Sequence, residues 1–201
     1  MPIKPELSTH KGDIRLLNSS DVAQLADYYR RNQAHFAPWE AARNADFYEH
    51  HYTLDRILEA EGQFHADEEV KLGVFCPQSQ QMIASIDFSQ IVRGPMQTCY
   101  VGYSIDAQYQ GRGLMQEFMP PCIDYMFKHF NMHRIMATYM TNNDRSAALL
   151  ERLGFAKETY AKSYLNIADT WRDHVLTALV NPRHSPLHDI HVTAAGPAPL
   201  P

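Results

Sequence analysis

Apolar positions along this chain recur at two periods, and the changes of period mark out its elements. Val22, Leu25, Ala26 and Tyr29 repeat at helical spacing behind Ser19-Ser20-Asp21, whose side-chain oxygens suit a helix start. Asp13 to Leu17 reads as a first strand, and residues 1–12 before it as a flexible lead-in. After the break at Pro38-Trp39, residues 44–62 carry Phe47, Leu54, Ile57 and Leu58 among many charges and predict one or two helices. Val70–Phe75 and Met82–Ile91 read as strands joined by the turn Pro77-Gln78-Ser79-Gln80. A further strand over Thr98–Ile105 precedes a helix that opens at Gly111 and reaches about His129. Met115, Phe118, Met119, Cys122 and Met126 give that helix an apolar stripe, while Pro120-Pro121 predicts a kink after its first two turns. His133–Tyr139 is strand-like, and the next helix carries Leu149, Leu150 and Leu153 between a cap at Asn143 or Asp144 and a stop at Gly154-Phe155. Strands near Tyr160–Asn166 and Arg172–Val180 complete the pattern, with no internal repeat.

Residues 182–201 show neither period. Rich in proline, with alanine, glycine and histidine, they read as a disordered tail, which leaves one domain over 13–181. His184, His188 and His191 lack a rigid scaffold and an acidic or cysteine partner, so they read as solvated and no metal is expected. Composition changes little: 201 residues at 45% hydrophobic and 20% charged suit one globular domain with a core of its own. No apolar run is long enough for a membrane span, and no secretory leader is visible. Cys76, Cys99 and Cys122 lie far apart with no Cys-x-x-Cys pair, which predicts reduced core thiols in a cytoplasmic protein. An acyl-cysteine role for Cys99 is the minor alternative. A net charge of −5, from 18 basic and 23 acidic residues, argues against direct nucleic-acid binding and is compatible with a basic protein tail as partner. Nothing in it fixes the oligomeric state beyond a monomer or weak dimer.

The most informative chemistry is in Gln108-Tyr109-Gln110-Gly111-Arg112-Gly113-Leu114-Met115. Two glycines one residue apart at a helix start leave backbone N–H groups bare, admit a bulky anion, and sit at the positive end of the helix dipole. The turn suits a phosphate or pyrophosphate; taken alone, it suits a structural turn equally. A dinucleotide fingerprint is excluded, because Gln116 stands where a third small residue is needed and no acidic residue follows a second strand at the required offset. A nucleotide-hydrolase loop is excluded because Leu114 follows Gly113 where lysine is required.

Gln108-x-x-Gly111-x-Gly113 between a strand and a helix resembles the acetyl-CoA pyrophosphate loop of the GCN5-related N-acetyltransferases, or GNAT family. Downstream, the order strand, Asn143-x-x-Ser146, helix and Leu153-Gly154-Phe155 resembles the family's second signature. Ala26-Asp27-Tyr28-Tyr29, Pro38-Trp39-Glu40, Gly102-Tyr103-Ser104-Ile105 and Trp171-Arg172-Asp173-His174-Val175 are similar to the ribosomal-protein-alanine N-acetyltransferases, over roughly Leu7 to Pro182. Within that group the similarity is to the enzyme acting on the amino-terminal alanine of a small-subunit ribosomal protein. The resemblance implies an α/β (α+β) GNAT fold, with a central mixed, mostly antiparallel twisted sheet of about six to seven strands flanked by helices. It also implies acetyl-CoA as co-substrate, the N-terminus of a ribosomal protein as partner, and direct attack in a ternary complex. Coenzyme contacts are implied for Tyr103, Ser104 and Ile105, for Gln110, Gly111, Arg112, Gly113, Leu114 and Met115, and for Asn143 and Ser146.

Acetyl transfer from a thioester needs a neutral amine, a polarised carbonyl and a leaving thiolate. A simple thiol has a pKa near about 8.5, so an acid at the sulfur helps modestly. Ser146 is the candidate donor there; an ordinary first-turn serine would read the same way. Strand alternation puts Cys99, Val101, Tyr103 and Ile105 on one face and Tyr100, Gly102 and Ser104 on the other. Many related acetyltransferases carry a glutamate at the position of Tyr100, so a carboxylate base from this strand is missing. An N-terminal amine, with pKa about 7.7–8.0 against about 10.4 for lysine, is already roughly a tenth neutral at neutral pH and tolerates a weak base. Glu40, or Tyr100 through water, is the expected base, and Trp39 is the expected wall of the acceptor pocket or a packed loop anchor. Two other functions stay open: a small-molecule amine acetyltransferase, and a non-catalytic CoA-binding module on the ribosome.

Overall fold

The computed structural model describes residues 3–184 and gathers eight strands into one sheet. They are β1 (Glu6–Ser8), β2 (Asp13–Leu16), β3 (Val70–Phe75), β4 (Met82–Val92), β5 (Thr98–Ile105), β6 (Arg134–Met140), β7 (Ala156–Ile167) and β8 (Thr170–Val180). Their order across the sheet is β1-β2-β3-β4-β5-β6-β8-β7. Only β5 and β6 run parallel; every other neighbouring pair is antiparallel. The helices are α1 (Val22–Arg31), α2 (Gln33–Phe36), α3 (His50–His65), α4 (Leu114–His129) and α5 (Asp144–Arg152).

Residues 1–12, expected as a flexible lead-in, contain β1, which is the eighth strand beyond the seven read from periodicity. The segment is too short to carry a period, but β2 offers an open edge and Leu7 packs partly against the core. The tail histidines His188 and His191 lie outside the described residues, with the rest of 185–201.

Two apolar clusters sandwich the sheet. Val70, Leu72, Val74, Ile86 and Phe88 face Phe118, Met119, Cys122 and Met126 of α4, with Leu150 of α5 beside them. On the other face Leu17, Phe75 and Met82 pack with Leu25, Tyr28 and Tyr29 of α1 and Ile57 of α3. Alternation along each strand therefore decides which helices a residue meets.

The α4 helix runs continuously to His129, through Pro120 and Pro121. Both prolines lie off its buried stripe, Pro120 exposed and Pro121 half-buried. The carbonyls of Gln116 and Glu117, which lose their usual donors, therefore lie toward solvent, and water can satisfy them. No helix among the described residues is long and apolar enough to cross a membrane.

The feature that positions the site is where β5 and β6 part. They pair only at Thr98↔Arg134, Cys99↔Ile135 and Tyr100↔Met136. Beyond those residues β5 stays bonded to β4 as far as Ile105, and β6 to β8 as far as Met140. Val101–Ile105 thus presents one edge of backbone groups with no β6 partner.

Candidate active site

The wedge between β5 and β6 opens into a cavity of about 1010 Å³. Its rim at one end is the turn between β5 and α4. Gly111 and Gly113 both hold φ +71, and a Cβ at either would meet no atom within 4 Å. Left-handed backbone, not crowding, is what demands glycine here. Gly113 is the N-cap of α4 and offers no side-chain cap, so the first N–H groups of that helix are left for a ligand.

Gly113→Ala should relax the free turn out of this conformation, and ligand binding must then restore it. At about 1–2 kcal/mol for one left-handed non-glycine residue, the Kd for coenzyme should rise roughly 5- to 30-fold. Calorimetric titration with CoA checks this, and an unchanged Kd would mean that the turn does not hold the anion.

Asp106 holds the start of the turn. Its carboxylate, 3% exposed, accepts from Arg31 Nε at 2.6 Å, Asn32 Nδ2 at 3.1 Å and the Gln108 N–H at 2.8 Å. Asn32 Oδ1 in turn accepts the Ala107 N–H at 2.9 Å. Burial pushes the Asp106 carboxyl up, but the bonds from Arg31, Asn32 and Gln108 outweigh it and hold it below its ordinary range. The end of α1 is thereby locked to the glycine turn. Across the cavity mouth, the Gln110 amide nitrogen lies 2.7 Å from His35 Nε2 and its oxygen accepts from Arg145.

The second helix end meets the cavity from the α4 face. Asn143 caps α5 by accepting the Ser146 N–H at 3.1 Å, which leaves its amide N–H groups for another acceptor. Ser146 Oγ lies 2.5 Å from the Tyr103 hydroxyl. Burial pushes the Tyr103 phenol up to about 12, so its proton is retained at neutral pH. On the opposite sheet face, Ser104 Oγ meets the hydroxyl of buried Tyr28 at 2.9 Å. This agrees with the alternation expected along β5.

Most residues expected at the site line this cavity. From β5 come Tyr103, Ser104 and Ile105; from the turn and α4, Gln110, Gly111, Gly113, Leu114 and Met115. Asn143 and Ser146 line it from α5, and Trp39 and Glu40 from the loop after α2. Two residues do not. Arg112 turns out over the Tyr109 ring, 5.5 Å from its centroid, and is not among the lining residues. Tyr100 also stays outside, because β5 is still paired to β6 at that residue and the wedge opens only beyond it. Its phenol is raised chiefly by the neighbouring Tyr164 hydroxyl, which leaves less phenolate to act as a base.

Glu40 lines the cavity with a carboxylate already engaged by Arg43, whose Nε donates at 2.8 Å. Its backbone carbonyl accepts the Ala168 N–H at 3.1 Å, tying the β7–β8 turn over the loop that carries Trp39. Cys99 is fully buried, and burial pushes its thiol up to about 12, which removes it as a nucleophile.

Sequence reasoning missed Asp106 at the start of the turn, and His35 and His174, which distant elements bring to the cavity. Asp106 carried one local signal, as a cap two residues before the Gln108 N–H. Trp171 is 63% exposed, and Asp173 accepts the Tyr160 hydroxyl and the Ser163 N–H, so this pair belongs to the β7–β8 hairpin.

Known proteins share this arrangement. Residues 13–156 match the model of the acetyltransferase (GNAT) domain. The ribosomal protein uS5-alanine N-acetyltransferase of Escherichia coli K12 is 43% identical over 186 residues, 91% of this chain and 94% of that protein. The solved ribosomal-protein-S5-alanine acetyltransferase from Vibrio fischeri has a TM-score of 0.88 at 37% identity, covering 90% of this chain and 100% of that one. Mycobacterium smegmatis RimJ in complex with CoA-disulfide shares the fold at a TM-score of 0.79 and 22% identity, over 84% of this chain and 81% of that one.

Proposed function

The chain belongs to the GNAT acetyltransferase family, and from that premise we propose that it transfers the acetyl group of acetyl-CoA to the amino-terminal alanine of a small-subunit ribosomal protein of the uS5 type. The observation that carries this reading is the 43% identity to the Escherichia coli enzyme across 91% of the chain. The cavity fits it. Its volume of about 1010 Å³ suits a ligand as long as acetyl-CoA together with the end of a peptide.

In this reading the α4 N-terminus and the Gly111–Gly113 turn hold the pyrophosphate, with Arg145 beside them once it leaves Gln110. The open edge of β5 over Val101–Ile105 and the free amide of Asn143 hold the pantetheine arm. A backbone N–H of that edge polarises the thioester carbonyl, fixed in place before the reaction begins. Bound acetyl-CoA supplies the activated acyl group. The neutral amine adds to its carbonyl carbon and gives one proton to a base, the C–S bond breaks, and the departing sulfur takes the proton of the Ser146 hydroxyl, which solvent then restores. Ser146 is matched to that task because Tyr103 can donate into Ser146 Oγ, leaving the serine proton directed elsewhere. Trp39 walls the acceptor side, where a rigid ring accommodates the small methyl side chain of alanine.

Labelled acetyl-CoA offered with peptides of differing first residue tests the reading. Alanine-first peptides should be acetylated at the α-amine, well ahead of free lysine, polyamines and peptides beginning with a bulky residue. Transfer to free amines and to no peptide would overturn it.

A further inference from the structure

We propose that His174 is the general base of the reaction, a refinement that rests on the acetyltransferase reading above. His174 is 3% exposed and lines the same cavity as Ser146 and Tyr103. It pairs with Met140, the last residue of β6, where the chain leaves the sheet toward Asn143 and Ser146. Register places it on the sheet face of Met140 and Thr138, opposite the face from which Tyr103 and Ser146 approach. The acceptor amine adds to one face of the planar thioester, and His174 lies on the sheet face away from Ser146 while lining the same cavity as Trp39 and Glu40.

The ring's proton is placed by its neighbours. Nδ1 lies 3.0 Å from the Arg172 carbonyl oxygen, which can only accept, so the neutral imidazole carries its hydrogen on Nδ1. Nε2 is then the lone-pair nitrogen. It has no hydrogen-bond partner among the described residues, yet it is not among the buried polar atoms left unsatisfied, so it keeps access to the cavity's solvent. The ionisable groups around the ring are Tyr164 of β7, at 5.7 Å between centroids, Arg172 and Asp173 of β8, Tyr139 of β6, and Glu40 across the cavity. Of the cavity's carboxylates, Glu40 is held by Arg43, and Asp144 lies in the first turn of α5. Among the described residues lining the cavity, His174 offers a nitrogen lone pair that is both fixed in direction and unoccupied.

The step balances simply. The acceptor's ammonium passes one proton to Nε2, which hands it to water; the neutral amine forms its bond to the acyl carbon, Nε2 takes the second proton from the nitrogen made cationic by that bond, the C–S bond breaks, and the thiolate takes the Ser146 proton. The imidazolium then returns its proton to water, and Ser146 is reprotonated from solvent through Tyr103.

His174→Asn keeps an N–H toward the Arg172 carbonyl but removes the Nε2 lone pair. On an alanine-first peptide its kcat should fall on the order of 100-fold near pH 7, with the Kd for CoA unchanged. The loss should shrink toward about pH 9, where the α-amine is neutral without help. Turnover within about twofold of wild type, or a loss equal at every pH, would overturn the assignment. Nitrogen-15 spectra of the wild-type protein give a second test that needs no variant. A neutral Nδ1–H tautomer, with Nε2 shifting when the peptide is added, is expected; an Nε2–H tautomer, or no response to the peptide, counts against it. If wild type fails to acetylate the peptide at all, the functional reading falls, and the tautomer still judges His174 separately.

Discussion

Ser146→Ala should lower kcat on the order of 100-fold and leave the Kd for acetyl-CoA within about twofold. The loss sits at the low end of general-acid effects because a thiolate of pKa about 8.5 leaves without much assistance. The fold should survive the change. It is the Ser146 backbone N–H, not its hydroxyl, that takes the Asn143 cap, and alanine is a strong helix former. Tyr103→Phe should give a smaller loss in the same direction, since it removes the partner of the donor rather than the donor. The two hydroxyls are 2.5 Å apart, so the double variant should be little worse than Ser146→Ala alone. Single-turnover rates at saturating acetyl-CoA, paired with calorimetric Kd values, measure this. A weakened Kd with normal turnover would make Ser146 a coenzyme contact and not an acid.

Asp106→Ala should damage stability and coenzyme affinity together. It strips Arg31 Nε, Asn32 Nδ2 and the Gln108 N–H of one shared acceptor in a site 3% exposed. Arg31 retains Asp27 and the Met82 carbonyl, so the cost falls below that of a wholly orphaned charge. About 2–4 kcal/mol is expected. At about 2–4 °C per kcal/mol for a chain of this size, Tm should drop by roughly 5–15 °C. The KM for acetyl-CoA should rise as the glycine turn loses its tether to α1, with kcat less affected.

The pH dependence of the Asp106 contribution has a definite sign. Its carboxyl is held below the ordinary value in the folded state, so the stabilisation is complete above the unfolded pKa of about 3.9. It is lost as pH falls through the lower folded value. The gap in Tm between wild type and Asp106→Ala should therefore hold steady at neutral pH and narrow below about pH 4. A gap that persists unchanged in acid would show that packing, not the carboxylate's bonds, is responsible.

The legible parts of the site share a property: their cause lies within a few residues. Gly111 and Gly113 take positive φ because the chain must turn into α4 there, and two glycines announce that in any context. Asn143 caps the helix three residues ahead of the N–H it accepts. The alternation of β5, which sends Tyr103 toward α4 and Ser104 toward Tyr28, follows from the two-residue repeat alone.

The illegible parts depend on which strands become neighbours. Tyr100 looked eligible as a base because it stands where related acetyltransferases carry a glutamate, but only the β5–β6 register shows that the wedge opens one residue later. Glu40 looked free until the loop folded Arg43 back onto it. His174 has no local signal whatever: it reaches the cavity because β8 inserts between β6 and β7, at a position fixed by the pairing Met140↔His174.

By itself, then, the amino-acid order determined seven of the eight strands, most of the helices and the glycine turn, since periodicity, caps and left-handed glycines are short-range consequences of backbone sterics and hydrogen bonding. Only the tertiary structure decided where the sheet splits, that the Tyr103 and Ser146 hydroxyls meet, and that His174 of β8 reaches the cavity. Those are outcomes of long-range strand pairing, whose register is set by burial across the whole sheet rather than by any residue's neighbours in the chain.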